Sequence, residues 1–252
     1  MKLTILERPT ALTAEGFQVR LEKELEKLKG ELNASITLDG FSRSGWTRIN
    51  ITGEDSEIMT ELIASKFATA HTELSEIEAP GNYEAEITGS NGRGLKFDVG
   101  FDAGSLYCVI PTRNLNAQLA DGKTAPLRQL IECYCLYPGV RVSVRATRKN
   151  DHEIEGWLSD SYVDSLADWV RMGLDRIQVF ECFKQQVESA VLKAHLSRDV
   201  IAINSLTFTT QSVVCKLGTD AVGLIPKLGH LLRKQTMKPF QPKKIVGQCR
   251  PW

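Results

Sequence analysis

The side chains in this sequence best suited to chemistry are cations on extended or poorly packed stretches. Arg93, Lys96, Arg113, Arg141 and Arg145 are spread through the middle of the chain, and Arg233, Lys234, Lys238, Lys243, Lys244 and Arg250 crowd its C-terminal end. Such groups suit a phosphate backbone: they neutralise charge without reading bases, and their binding weakens steeply with salt. Ordinary solvated surface has the same composition. A second motif is Gly218-Thr219-Asp220-Ala221-Val222-Gly223, where a glycine turn runs into an apolar helical pattern. Backbone N–H groups at a helix start can hold a carboxylate or phosphate, which makes Gly218, Thr219, Asp220 and Gly223 candidate contacts for a small anion. The same residues equally serve as a plain cap, with Thr219 or Asp220 accepting from the first turn.

Catalytic patterns are missing. His71, His152, His195 and His230 are dispersed, and none has metal-ligand spacing. There is no G-x-S-x-G, Walker loop or dinucleotide fingerprint. Asp98 and Asp102 act as an acid–base pair only if the fold buries them together, which spacing does not show. The reading is therefore a non-enzyme with no cofactor and no metal. Of the six cysteines, Cys133 and Cys135 form a C-x-C without a second pair, and several others lie in apolar runs. They read as reduced core thiols.

The elements that must position these cations divide the 252 residues into three. In 1–78, a strand (2–7) leads through a turn near Thr13–Gly16 to a helix with Phe17, Leu21, Leu25 and Leu28 at helical spacing. Strands at 35–38 and 47–52 follow. A helix then opens at Asp55-Ser56-Glu57, and the spacing assigns Ile58, Leu62 and Phe67 to its buried face. This order predicts a split βαβ, ferredoxin-like domain. In 79–159, Tyr83, Ala85 and Ile87, then Leu95, Phe97 and Val99, then 107–110, then Val140, Val142 and Val144, then 154–158 alternate as strands between glycine turns. Five strands with a helical insertion at 112–138 predict a five-stranded OB-like β-barrel. In 160–252, a short helix carrying Leu166, Trp169 and Val170 precedes a strand–helix–strand–strand–helix–strand order, again ferredoxin-like, with its last strand at 243–246 and Pro226 near the first turn of its second helix. The fold class is α+β.

The Gly94-Leu95-Lys96-Phe97-Asp98-Val99 turn and strand, the Cys108-Val109-Ile110-Pro111 strand end and the run Pro138-Gly139-Val140-Arg141-Val142-Ser143-Val144 resemble the RNA-binding OB domain of the largest bacterial small-subunit ribosomal protein. The whole chain, including VVCKLGTDAVGLIPKLG, is similar to an archaeal protein family of unknown function. The resemblance implies an OB barrel that contacts RNA, and an archaeal source. Where the ribosomal domain carries base-stacking aromatics, this chain has Lys96 and Pro111, while Phe97 falls in the opposite, core-facing phase.

Composition fits a soluble protein. No apolar run reaches the length of a membrane span and no signal peptide opens the chain, so the expected location is cytoplasmic, with no membrane partner. Residues 1–79 hold 14 acidic and 9 basic side chains, whereas 161–252 hold 13 basic and 7 acidic. An acidic head and a basic tail suit a nucleic-acid partner at the C-terminal end. The sequence thus reads as an RNA- or ribosome-associated binding protein, backbone-directed and weakly selective. The alternatives are a regulatory module sensing a small anion at the Gly218–Gly223 turn, or a protein-interaction scaffold.

Overall fold

A computed structural model describes residues 1–104, 106–149 and 153–249. The first unit contains β1 (Lys2–Ile5), α1 (Phe17–Lys29), β2 (Ala34–Phe41), β3 (Thr47–Gly53) and α2 (Ser56–Lys66). Its antiparallel sheet has the order β1–β3–β2. Phe17, Leu21 and Leu25 bury one stripe of α1 against it, and left-handed glycines bound the helix at Gly16 and Gly30. The buried face of α2 is Met59, Ile63 and, just past the helix, Phe67, while Ile58 is 51% exposed. The expectation for Ile58 and Leu62 was one residue out of phase. Two apolar stripes about 100° apart compete on this helix, and packing on the sheet selects one. Asp55 does not cap α2; its carboxylate accepts from Asn33 N at 2.7 Å.

The middle of the chain is a closed five-stranded barrel. Its strands are β4 (Gly81–Ser90), β5 (Gly94–Asp98), β6 (Tyr107–Pro111), β7 (Arg141–Lys149) and β8 (Glu153–Leu158), in the order β4–β5–β6–β8–β7 and back to β4. Only the β6–β8 pair is parallel. Alternation sends Ala85, Ile87, Leu95, Phe97, Cys108, Ile110, Val142, Val144 and Ile154 inward. Gly94 sits where the barrel wall is tightest: a Cβ there would collide with the carbonyl of Ile110. The insertion between β6 and β7 forms two helices, α3 (Thr112–Leu119) and α4 (Leu127–Tyr134), broken by left-handed Asp121 and Gly122 and restarted after Pro126. Leu115 and Leu119 plug the barrel cluster, and Tyr134 OH donates to Leu119 O at 2.6 Å.

The helix α5 (Asp160–Met172) follows, capped by Ser159 and closed by left-handed Gly173. It buries Leu166 and Val170 in the barrel cluster. The last unit is β9 (Arg176–Val179), α6 (Lys184–Lys193), β10 (Val200–Ser205), β11 (Gln211–Cys215), α7 (Ala221–Gly229) and β12 (Met237–Phe240), with an antiparallel sheet ordered β10–β11–β9–β12. Pro226 lies inside α7, past its first turn.

The segment expected as a strand at 243–246 is a helix, α8 (Pro242–Gln248), with proline at its start. The final strand lies earlier, at β12. Phe240, Ile245 and Cys249 are buried in the barrel cluster, so the basic tail is packed structure up to that point; Arg250 lies outside the described residues. All six cysteines are buried and none forms a disulfide among the described residues.

One knot ties the three units together. Glu7, from the first unit, accepts from Arg141 Nη1 of β7 at 3.1 Å and from Phe208 N of the β10–β11 connection at 3.1 and 3.2 Å. Arg141 Nη2 also donates to Leu6 O. The Phe208 ring enters the first unit's core, edge-on to Phe17 at 5.5 Å and to Phe183 at 5.4 Å. Gly100, at φ 73°, lets Leu6 rest on the barrel where a Cβ would block it.

Candidate nucleic-acid interface

Strand alternation that sends apolar residues into the barrel sends a different set outward. Register places Lys96 of β5 opposite Val109 of β6, Val109 opposite Glu155 of β8, and Glu155 opposite Arg148 of β7. Tyr107 shares this outward phase on β6, and Trp157 shares it on β8, directly opposite Arg145. Both rings are half-buried. Lys96 Nζ lies 3.4 Å from the centre of the Tyr107 ring, a cation–π contact that holds the ring and the charge together. Arg113, at the start of α3, reaches Glu155 at 3.1 Å while its side chain stays 79% exposed. Arg145 pairs with Asp160 at 3.2 Å. These ion pairs lie at the surface, where water and salt screen them, so a phosphate can compete for the guanidinium groups.

Arg93 is exposed in the β4–β5 turn, and its carbonyl accepts from Thr112 N at 3.0 Å, which seats the turn beside the end of β6. Lys96 and Pro111 do occupy the outward phase, two residues apart along the paired strands, and neither is aromatic. Phe97 is fully buried. The aromatic character of this face comes instead from Tyr107 and Trp157, which the sequence analysis did not single out. Their signal was present: each alternates with a buried neighbour, Cys108 and Leu158 respectively.

Arg141 does not belong to this face. It sits at the beginning of β7 opposite Glu86 of β4, under the first unit, and its side chain is 11% exposed. Its hydrogen bonds go to Glu7 and Leu6, so it is corrected from a phosphate contact to an internal cation. Burial pushes the Glu7 carboxyl above its ordinary value, against the lowering pull of Arg141 and the Phe208 N–H. Asp98 and Asp102 do not meet as an acid–base pair. Asp98 is buried, which raises its pKa, and accepts from Gly100 N at 3.0 Å. Asp102 is held below its ordinary range by Arg48 at 2.7 Å and by Thr4 at 2.8 Å.

The C-terminal cations divide into two places. Lys238 of β12 lies 4.9 Å from the centre of the Tyr137 ring, and Lys243 and Lys244 are exposed on α8. Arg128, joined by Lys244 and Lys238, holds Glu132 below its ordinary pKa, so these three cations gather over α4. Arg233 and Lys234 are exposed in the α7–β12 connection, where Arg233 Nε donates to His230 O at 3.2 Å.

The Gly218–Gly223 turn is occupied by its own acids. Asp220 accepts from Val222 N at 3.3 Å and Gly223 N at 2.9 Å, and Asp175 accepts from Ala221 N at 3.1 Å. Gln241 further ties Asp220 at 3.2 Å. Two carboxylates on the N–H groups that an anion would need make this a cap, with Gly218 turning the chain at φ 85°.

Residues 174–238 match the DUF2110 C-terminal domain. No curated protein matches the chain. Among solved structures, the chain is similar to the intact alpha subunit of aIF2 from Pyrococcus abyssi, with 8% identity over 66% of this chain and 97% of that one, at a TM-score of 0.26. It is also similar to a multidomain protein with nucleic acid binding domains from Streptococcus pneumoniae, with 11% identity over 84% of this chain and 52% of that one, at a TM-score of 0.22.

Proposed function

We propose that this chain binds single-stranded RNA on the outward face of β5, β6, β8 and β7, with the phosphates on Lys96, Arg113, Arg145 and Arg148 and bases against Tyr107 and Trp157. The observation that carries this reading is the coincidence, on one four-strand surface, of two half-buried rings with cations, of which Arg113 and Arg148 are exposed and Lys96 and Arg145 half-buried. Sequence-tolerant single-strand binders combine these same two ingredients. In this reading the barrel is of the OB type, whose second and third strands and first loop form the usual binding surface; these correspond to β5, β6 and the Arg93 turn. The flanking sheets are read as ferredoxin-like, with domain limits at 1–78, 79–159 and 160–252. Lys238, Lys243 and Lys244, and Arg233 with Lys234, would extend the electrostatic footprint without base recognition. The same proposal has the protein act by binding; the Asp98 and Asp102 carboxylates are engaged by Gly100 N, Thr4 and Arg48. An archaeal source, a cytoplasmic site of action and a ribosomal or translational RNA belong to the same proposal.

The test is fluorescence anisotropy with labelled single-stranded RNA over a salt series. Binding should weaken as salt rises, and Tyr107→Ala and Trp157→Ala should each cost about 1–3 kcal/mol. Arg145→Glu and Arg148→Glu should each flatten the salt dependence by about one phosphate contact. No binding at low salt would refute the reading. Binding that ignores the two aromatic variants but collapses in Lys243→Glu/Lys244→Glu would move the interface to α8.

A further inference from the structure

Where the three units meet there is a cavity of about 420 Å³, within the range of about 300–1,000 Å³ common for small-molecule sites. Each unit supplies part of its wall: Arg8 from the first, Glu86 and Tyr137 from the barrel and its insertion, and Glu181, Thr209 and Lys238 from the last. Five threonines line it, which is a hydroxyl-rich wall for a gap between packed units.

Most of its charge is already committed. Arg8 donates to Glu86 and lies over the Trp46 ring at 4.3 Å, while Glu7 is held by Arg141 and Phe208 N. That leaves Lys238 and Glu181, which enter no ion pair among the described residues. Glu181 has φ 54°, a left-handed backbone that non-glycine residues seldom adopt and that clusters at functional sites.

The sheet behind Lys238 is short of partners. Lys238 stands opposite Gln178, and Gln178 stands opposite Ser212. Gln178 Oε1 and Ser212 Oγ are buried with no hydrogen-bond partner among the described residues, at 2% and 0% residue exposure. Arg176, two residues along the same face of β9, is 4% exposed, lies over Trp169 at 4.4 Å and has no partner for Nε among the described residues. These groups lie behind Lys238 and do not line the cavity, where one ammonium outside any ion pair, set among threonine hydroxyls, points to an anionic ligand.

We infer that the cavity binds a phosphate monoester carried on a sugar, of the size of a sugar phosphate or a nucleoside monophosphate. The phosphate takes Lys238 and the Thr209 and Thr236 hydroxyls as donors, and the Glu181 carboxylate accepts from the sugar hydroxyls. The edge-on Tyr137–Phe180 pair offers an apolar wall to the rest. This site is separate from the barrel face and does not rest on RNA binding.

The test is equilibrium dialysis with the full chain, using ribose 5-phosphate, adenosine monophosphate and inorganic phosphate as probes. At least one sugar-bearing probe should bind saturably and more tightly than inorganic phosphate. Lys238→Met should raise its Kd about tenfold or more, which is at least the loss of one charge-assisted contact. Glu181→Gln should weaken the sugar-bearing probe and leave inorganic phosphate unchanged. If Lys238→Met folds poorly, Thr209→Val offers a second variant on the same wall with the same expected direction. Absence of saturable binding at millimolar probe, equal binding of inorganic phosphate, or loss of binding in Tyr107→Ala with Lys238→Met unaffected would each overturn the assignment.

Discussion

Replacing Arg141 with methionine is expected to cost about 3–5 kcal/mol of stability at neutral pH, the usual penalty for stranding one member of a buried ion pair. The structure supports a value that large. The Glu7–Arg141 contact is 3.1 Å, and the two side chains are 4% and 11% exposed. At an effective dielectric near 20, a pair at that distance attracts by about 5 kcal/mol. The Phe208 N–H bonds to Glu7 survive the substitution and keep the loss from exceeding that scale. Urea unfolding followed through tryptophan fluorescence suits the measurement, because one of the four rings, Trp46, is fully buried under Arg8 beside the same junction.

The pH dependence gives a second readout. Burial raises the folded-state pKa of Glu7 above its reference of 4.5, so the native protein holds that proton more tightly than the unfolded chain does. Stability linked to Glu7 is then fully present below the unfolded value and is lost as pH rises through the folded one. Arg141 limits that loss by pulling the pKa back down. Without Arg141 the pKa rises further and the decline runs to higher pH, so the penalty should be small near about pH 4 and grow toward neutrality. Adding Glu7→Gln to Arg141→Met should restore much of the loss, since a neutral pair strands no charge. A penalty below about 1 kcal/mol, or one that does not vary with pH, would refute the assignment of Arg141 as the internal partner of Glu7.

Three further outcomes follow from the same structure. Ile63→Ala should cost about 2–5 kcal/mol by opening a cavity under α2, while Ile58→Ser should stay within about 0.5 kcal/mol in the same denaturation assay; equal costs would reverse the facing of that helix. Asp220→Ala should lose about 1 kcal/mol of stability as a missing cap and leave phosphate-monoester binding by dialysis unchanged; loss of ligand binding would reopen the turn as an anion site. Burial pushes Cys135 and Cys215 up to about 12, so the folded protein at pH 8 should label slowly with a thiol reagent and quickly once denatured; rapid labelling of either in the native state would contradict their burial.

Local sequence pattern was enough for the strands of the barrel, because side-chain direction in a strand alternates regardless of what lies beyond it. Leu95, Phe97, Val142 and Val144 are core residues on that ground alone, and the outward phase of Lys96 and Arg145 follows with them. The turn at Gly218 was legible for a similar reason, since a positive φ favours glycine whatever the neighbours.

Tertiary structure decided everything that depended on which surface meets which. Arg141 and Arg145 share a strand, a phase and a residue type, and only the docking of the first unit over the start of β7 makes one an internal cation and the other a surface group. Spacing alone put Ile58 on the buried face of α2, and only the sheet laid against the helix turns Met59 inward instead. The tail at 243–246 reads as a strand in isolation, and tertiary packing makes 242–248 a helix against α4 and α5 with Ile245 inside the barrel cluster. The cavity beside Lys238 exists in no single segment at all. Hydrophobic periodicity records the inside and outside of one element, whereas a site between units depends on contacts between residues more than a hundred positions apart, and no short-range pattern encodes those.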